Sequence, residues 1–214
     1  MRLTYIFTSL ALVLRCIALV ILAPAAVAVY YKDWHSIIPF VGASLLSFVL
    51  SFLFTKKSDT FENLNDIKKS EALCVVTLSW LSFSIIGMLP YIYFGLSPLN
   101  SLFESVSGIT TTGATILTSF DYPKAMFFWR SMSQWLGGMG IIVLFIAILP
   151  QFAVAGRQMF FAEAPGPTED KITPRIRHTA SAVWTIYLLV TLMEIILLRL
   201  AGMPLFDAFC NSFS

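Results

Sequence analysis

Charge is what this sequence has least of. Asp, Glu, Lys and Arg make up 12% of its 214 residues and hydrophobic residues 57%, far from the balance of an ordinary soluble domain. That composition excludes a soluble fold and makes the chain an integral membrane protein, with mean hydropathy +0.81. A net charge of +2 gives no support for nucleic-acid binding; in a membrane chain the placement of Lys and Arg carries the information. Cysteine is also sparse. Cys16, Cys74 and Cys210 lie inside apolar runs without C-x-x-C spacing, so they read as small hydrophobes rather than as a disulfide framework or metal site. Histidine is scarcer still. His35 and His178 fall at span ends on opposite sides of the membrane, so an intramembrane hydrolase has no base to activate a serine or threonine, and an enzyme is not expected.

What is present is a series of apolar runs. Residues 5–30 and 36–54 are each long enough to cross a bilayer, which takes roughly 20 apolar residues per helix. The short link Tyr31-Lys-Asp-Trp-His-Ser36 makes them an antiparallel hairpin. Pro24 interrupts the first helix, and Arg15 stands inside it as a costly charge. That arginine is either functional or structural, its long side chain snorkelling to the interface or pairing at a helix contact. Residues 55–70 carry Lys56, Lys57, Lys68 and Lys69 and read as a cytoplasmic loop. Ala72 to Leu96 is a third span, 125–149 a fourth and 179–200 a fifth. Between the fourth and fifth, residues 151–178 are polar, punctuated by Pro165-Gly-Pro167 and Pro174, and carry Arg157, Lys171, Arg175 and Arg177.

Residues 98–115 do not fit the series. They lie between apolar runs yet hold Ser101, Ser105, Ser107, Thr110, Thr111, Thr112 and Thr115 with glycines at 108 and 113. Backbone at membrane depth must be satisfied internally, so a Thr-Thr-Thr-Gly run survives there only where protein encloses it and it lines a wet pathway. Its use is a ring of carbonyl oxygens that replaces the hydration shell of a cation. The reading is a pore helix over 98–109 and a filter strand over 110–115. Treating this segment as re-entrant puts Arg2, Lys56, Lys57, Lys68, Lys69, Arg157, Lys171, Arg175 and Arg177 inside. Lys32, Lys124, Arg130 and Arg199 are then outside, nine against four, whereas a full span gives eight against five. Pro98 at a helix start agrees. A helix running inward aims its partly negative C-terminus at the membrane interior, attracting a cation without a fixed carboxylate.

Two features admit two readings each. Glu104 either adds negative potential near the outer mouth or ties the re-entrant helix to its neighbours. Gly137, Gly138 and Gly140 either allow close helix contact or let the helix bend into a constriction. An internal repeat is visible as well: Pro98-Leu-Asn-Ser-Leu-Phe103 and Pro204-Leu-Phe-Asp-Ala-Phe209 share Pro, Leu and Phe at matching offsets, each after an apolar span.

Thr110-Thr-Thr-Gly-Ala-Thr115 after Phe103-Glu-Ser-Val-Ser-Gly108, followed by Gln134-Trp-Leu-Gly-Gly-Met-Gly140 and Glu163-Ala-Pro-Gly-Pro167, resembles the membrane subunit of bacterial Trk-type potassium transporters, in the Trk/Ktr/HKT superfamily. The resemblance runs along the whole chain. It implies an all-α integral membrane fold of repeated membrane helix, re-entrant pore loop and membrane helix units, preceded by a helical hairpin. Residues 1–70 would be the hairpin and cytoplasmic loop, 71–150 the first unit, 151–178 a cytoplasmic linker and 179–214 the truncated start of a second unit, so that the chain matches only the N-terminal part of such a subunit. The implied function is potassium uptake across the bacterial inner membrane by an ion-conducting subunit with a cytoplasmic N-terminus. The alternative is a non-conducting membrane assembly subunit. Thr110, Thr111, Thr112 and Gly113 would hold K⁺, the transported ion, with no covalently bound cofactor. Glu104, Gly137, Gly138 and Gly140 would be pore-mouth or gating residues. The implied partners are a second copy, membrane lipid and a cytoplasmic nucleotide-binding regulatory ring that faces residues 151–178. In this superfamily glycine at the position of Gly113 accompanies potassium permeation, and serine there accompanies sodium preference in some members.

Overall fold

The computed structural model describes residues 3–56, 69–119, 121–141 and 172–214. The basic loop around Lys57 and Lys68, the far end of the fourth expected span, and the polar segment with Arg157, Glu163 and Lys171 lie outside the described residues. Every regular element among those described is helical. Four helical stretches are long and apolar enough to cross a membrane: Leu3–Tyr30, Trp34–Thr55, Ser70–Tyr93 and Ser181–Leu200. The all-α membrane fold follows from the same physics as the sequence pattern, since a helix satisfies its own backbone in lipid.

The chain divides into two compact units, Met1–Gln134 and Trp135–Ser214. In the first, α1 (Leu3–Val20) and α2 (Ala23–Tyr30) form one span that breaks at Ile21 and Leu22, with Pro24 in the first turn of α2. Proline has no N–H and fits a helix start better than its interior. A 3₁₀ turn, Trp34–Ser36, capped by the Asp33 side chain, leads into α3 (Ile37–Lys56). The hairpin is held by a serine ladder. Ser44, Ser47 and Ser51 of α3 donate to the carbonyls of Ala18, Leu14 and Ala11 at 2.7, 2.7 and 2.9 Å. Small side chains let the two backbones approach, and each hydroxyl then bonds across the gap that lipid would otherwise fill. Arg15 belongs to this contact: its Nε donates to Ser51 Oγ at 3.0 Å and its Nη2 to Thr55 Oγ1 at 2.9 Å.

The third span also breaks. α4 (Lys69–Gly87) ends one residue before α5 (Leu89–Tyr93), whose first turn holds Pro90. The apolar run 72–96, expected as one span, is thus two helices in line. Trp129 caps the break, donating Nε1–H to the Gly87 carbonyl at 3.0 Å, and its buried indole stacks on Phe83 with centroids 5.5 Å apart.

α6 (Pro98–Ile109) coincides with the expected pore helix, and residues 124–141 form α7. In the second unit α8 (Ile172–Leu200) begins before the apolar run, inside the segment 151–178 expected to be a linker, with Pro174 in its first turn. α9 (Leu205–Phe213) follows. Trp135 organises this unit. It stacks on Tyr187 and Phe213, donates to Thr191 Oγ1 at 3.1 Å, and its carbonyl accepts from the Tyr187 hydroxyl at 3.1 Å.

Candidate functional site

The re-entrant segment is built from both ends. Ser97 caps α6, its hydroxyl accepting from the Asn100 N–H at 3.3 Å, and Pro98 occupies the first turn. Two contacts between small residues wedge the helix in place. A Cβ on Gly87 would lie 2.7 Å from Ser105 Oγ, and a Cβ on Gly108 would collide with Ser133 Oγ. The pore helix therefore sits closer to α4 and α7 than any larger side chain would permit.

The helix ends in a turn that closes its last carbonyls. Thr112 N–H donates to the Ser107 carbonyl and Thr111 N–H to that of Gly108, both at 3.0 Å, the paired bonds of a Schellman cap. The cap puts Thr111 at φ 56°, a left-handed conformation that is an outlier for a β-branched residue. Gly113 is left-handed too, at φ 71°. The backbone thus reverses hand at two residues of the four expected to face the ion.

The loop carbonyls fall into two groups. That of Gly113 accepts from Arg130 Nη2 at 2.9 Å and that of Ala114 from the Ser107 hydroxyl at 2.6 Å. The carbonyls of Thr110, Thr111 and Thr112 meet no donor among the described residues, and the loop there is exposed. The Thr110 and Thr112 hydroxyls lie 2.8 Å apart. An open set of oxygens beside a helix C-terminus suits a dehydrated cation.

Glu104 anchors the back of the loop. Its carboxylate is fully buried. Oε1 accepts from Thr115 Oγ1 and from the Ile116 N–H, each at 2.7 Å, and Oε2 accepts from Arg130 Nε at 3.1 Å. Of the two readings open for this residue, the geometry favours the tie. Arg130 was placed by sequence only as an outer-side charge. The missed signal was an acid and a base at membrane depth in neighbouring elements, since such charges are stable there chiefly as pairs. Gly137, Gly138 and Gly140 all lie within helical backbone, and residues 135–141 are helical throughout. The sequence repeat has a structural counterpart: α5 and α8 end in the same cap, with Gly95 and Gly202 both at φ 95°, each shortly before the proline that opens the next helix.

A hairpin, a span and a capped re-entrant helix followed by an exposed oxygen-rich loop define an all-α, multi-pass membrane protein. Comparison with known proteins narrows the class to a family. The chain belongs to the TrkH family of cation transport proteins, whose family model matches residues 40–214. It is 41% identical over its whole length to the Trk system potassium uptake protein TrkH of Vibrio parahaemolyticus, covering 44% of that protein. It is 46% identical over 154 residues to TrkH of Escherichia coli K12, covering 70% of this chain and 32% of that one. The crystal structure of the potassium transporter TrkH from Vibrio parahaemolyticus matches all of this chain and 42% of its own with a TM-score of 0.83, at 34% identity in the superposition. The chain thus spans less than half the length of the curated relatives it matches.

Proposed function

We propose that this chain is part of the ion-conducting subunit of a potassium uptake system, and that its re-entrant loop supplies one side of the selectivity filter. The observation that carries the reading is the open carbonyl set of Thr110, Thr111 and Thr112 at the C-terminus of a capped, wedged pore helix. The helix end contributes about half a negative charge, which favours a cation while leaving selectivity to the oxygens. Gly113 takes a different part in the filter. A guanidinium already on its carbonyl disfavours a second cation there, so Gly113 serves through its left-handed bend, which sets the direction of the three carbonyls before it. Potassium as the ion follows from the names of the relatives. A bacterial inner-membrane location, a cytoplasmic N-terminus, pairing with a second copy and regulation by a cytoplasmic nucleotide-binding ring belong to the same reading. Copurification of the full-length protein with such a ring checks the last of these.

Glycines 137, 138 and 140 fit close helix contact better than a bend, since the helix is continuous through them. The reading is tested with the full-length protein in cells whose own potassium uptake has been removed. Growth at limiting potassium and uptake of K⁺ in preference to Na⁺ are expected. Normal membrane insertion without potassium uptake would leave the alternative, a membrane subunit that assembles but does not conduct.

A further inference from the structure

We propose that Arg130 is a positioning residue that determines ion preference in this loop, acting through Glu104 and the Gly113 carbonyl. The inference rests on the potassium-uptake reading and goes beyond it, because Arg130 lies on α7, outside the filter segment.

The geometry is a two-armed clamp. One guanidinium nitrogen, Nε, reaches Glu104 Oε2 at 3.1 Å; another, Nη2, reaches the Gly113 carbonyl at 2.9 Å. The second carboxylate oxygen of Glu104 holds the loop beyond the glycine through Thr115 and Ile116. The clamp therefore grips the filter on both sides of Ala114, from α6 through Glu104 and from α7 through Arg130. It fixes the Gly113 peptide plane, and with it the bend that orients the carbonyls of residues 110–112. Only a planar, forked cation serves both arms at once; a lysine ammonium is a compact charge on a flexible stem.

The pair also balances charge. Glu104 is fully buried and the Arg130 side chain is 18% exposed, so removing either partner leaves the other poorly compensated beside the ion path. The two losses act in opposite senses. Without Glu104 an unbalanced cation faces the path and repels all monovalent cations alike. Without Arg130 an unbalanced carboxylate attracts them, while the Gly113 carbonyl is released and the loop loses its orientation. Entry of both ions is then favoured and discrimination falls.

The test measures K⁺ and Na⁺ uptake by the full-length protein carrying Arg130→Gln, Arg130→Lys, Glu104→Gln or both glutamine substitutions, with membrane amount followed by immunoblot. Arg130→Gln is expected to lower the K⁺ to Na⁺ uptake ratio about tenfold, the equivalent of about 1.4 kcal/mol. Arg130→Lys should keep the charge balance yet lose part of the ratio. Glu104→Gln should depress uptake of both ions, and the double variant should recover rate without recovering preference. Should Arg130→Gln fail to reach the membrane, Arg130→Lys and the double variant carry the test. A parental ratio in the variants that reach the membrane overturns the proposal, while leaving potassium uptake by the parent intact. Failure of the parent itself to take up potassium removes both the functional reading and this inference.

Discussion

At the scale of single residues, left-handed backbone separates two positions that look alike in sequence. A Cβ on Gly113 would meet nothing within 4 Å, so any penalty for replacing it is conformational rather than steric. Residues with a side chain lose about 1–2 kcal/mol in this region, and Asn and Asp tolerate it best. Gly113→Ser is therefore expected to lower stability by about 1 kcal/mol and to weaken potassium preference, with Gly113→Asn milder on both counts. Thr111 is the reverse case. It already holds φ 56° and stores strain of the kind that clusters at functional sites. Thr111→Gly should raise the melting temperature of the purified full-length protein, whereas Thr112→Ser should leave it unchanged. A lower melting temperature for Thr111→Gly would mean that its side chain contributes more than its backbone costs. The glycine was legible in the sequence because its residue type names its conformation. The strained threonine was not, because a helix cap normally recruits glycine and nothing in Thr-Thr-Thr marks which residue turns.

At the scale of elements, the bounds of α6 were readable because a first-turn proline writes a helix start in sequence, and the hydroxyl-glycine run writes its end. What was not readable lay in partnerships between elements. Glu104 and Arg130 are 26 residues apart, and their bond exists only once α6 and α7 have been packed side by side. The serine ladder was an overlooked signal, since Ser44, Ser47 and Ser51 recur at helical spacing along one face. The same packing makes Gly108 a sharp test of the wedge. Gly108→Ala drives a methyl into Ser133 Oγ, which is itself bonded to the Arg130 carbonyl at 2.7 Å. Overpacking of this kind costs about 1–3 kcal/mol. Removing the hydroxyl leaves Ser133 Cβ at 3.4 Å from the new methyl, an ordinary contact. Ser133→Ala is thus expected to rescue Gly108→Ala in a thermal-stability double-mutant cycle, and additive losses would place the obstacle elsewhere.

At the scale of the whole molecule, orientation follows from where positive charge can stay. Lys56, Lys57, Lys68 and Lys69 bracket the link between the second and third spans, and short cytoplasmic loops collect such residues. We propose the path that this assignment implies: the third span would carry the chain outward, α6 would enter and the loop would return to the same side before α7 begins at residue 124. The Glu104 tie agrees with that path, since it fastens Thr115 and Ile116 back to the middle of α6. Residue Ser119 should then face outside and Ser58, in the basic loop, inside. In the full-length protein with Cys16, Cys74 and Cys210 replaced, a single cysteine at 119 is expected to react with a membrane-impermeant thiol reagent added to intact cells. A cysteine at 58 should react only after the membrane is opened. Protection of position 119 in intact cells with labelling after permeabilisation would make residues 98–117 a full crossing. It would invert every element downstream, and the open carbonyls of residues 110–112 would then need a pathway that enters from the cytoplasm.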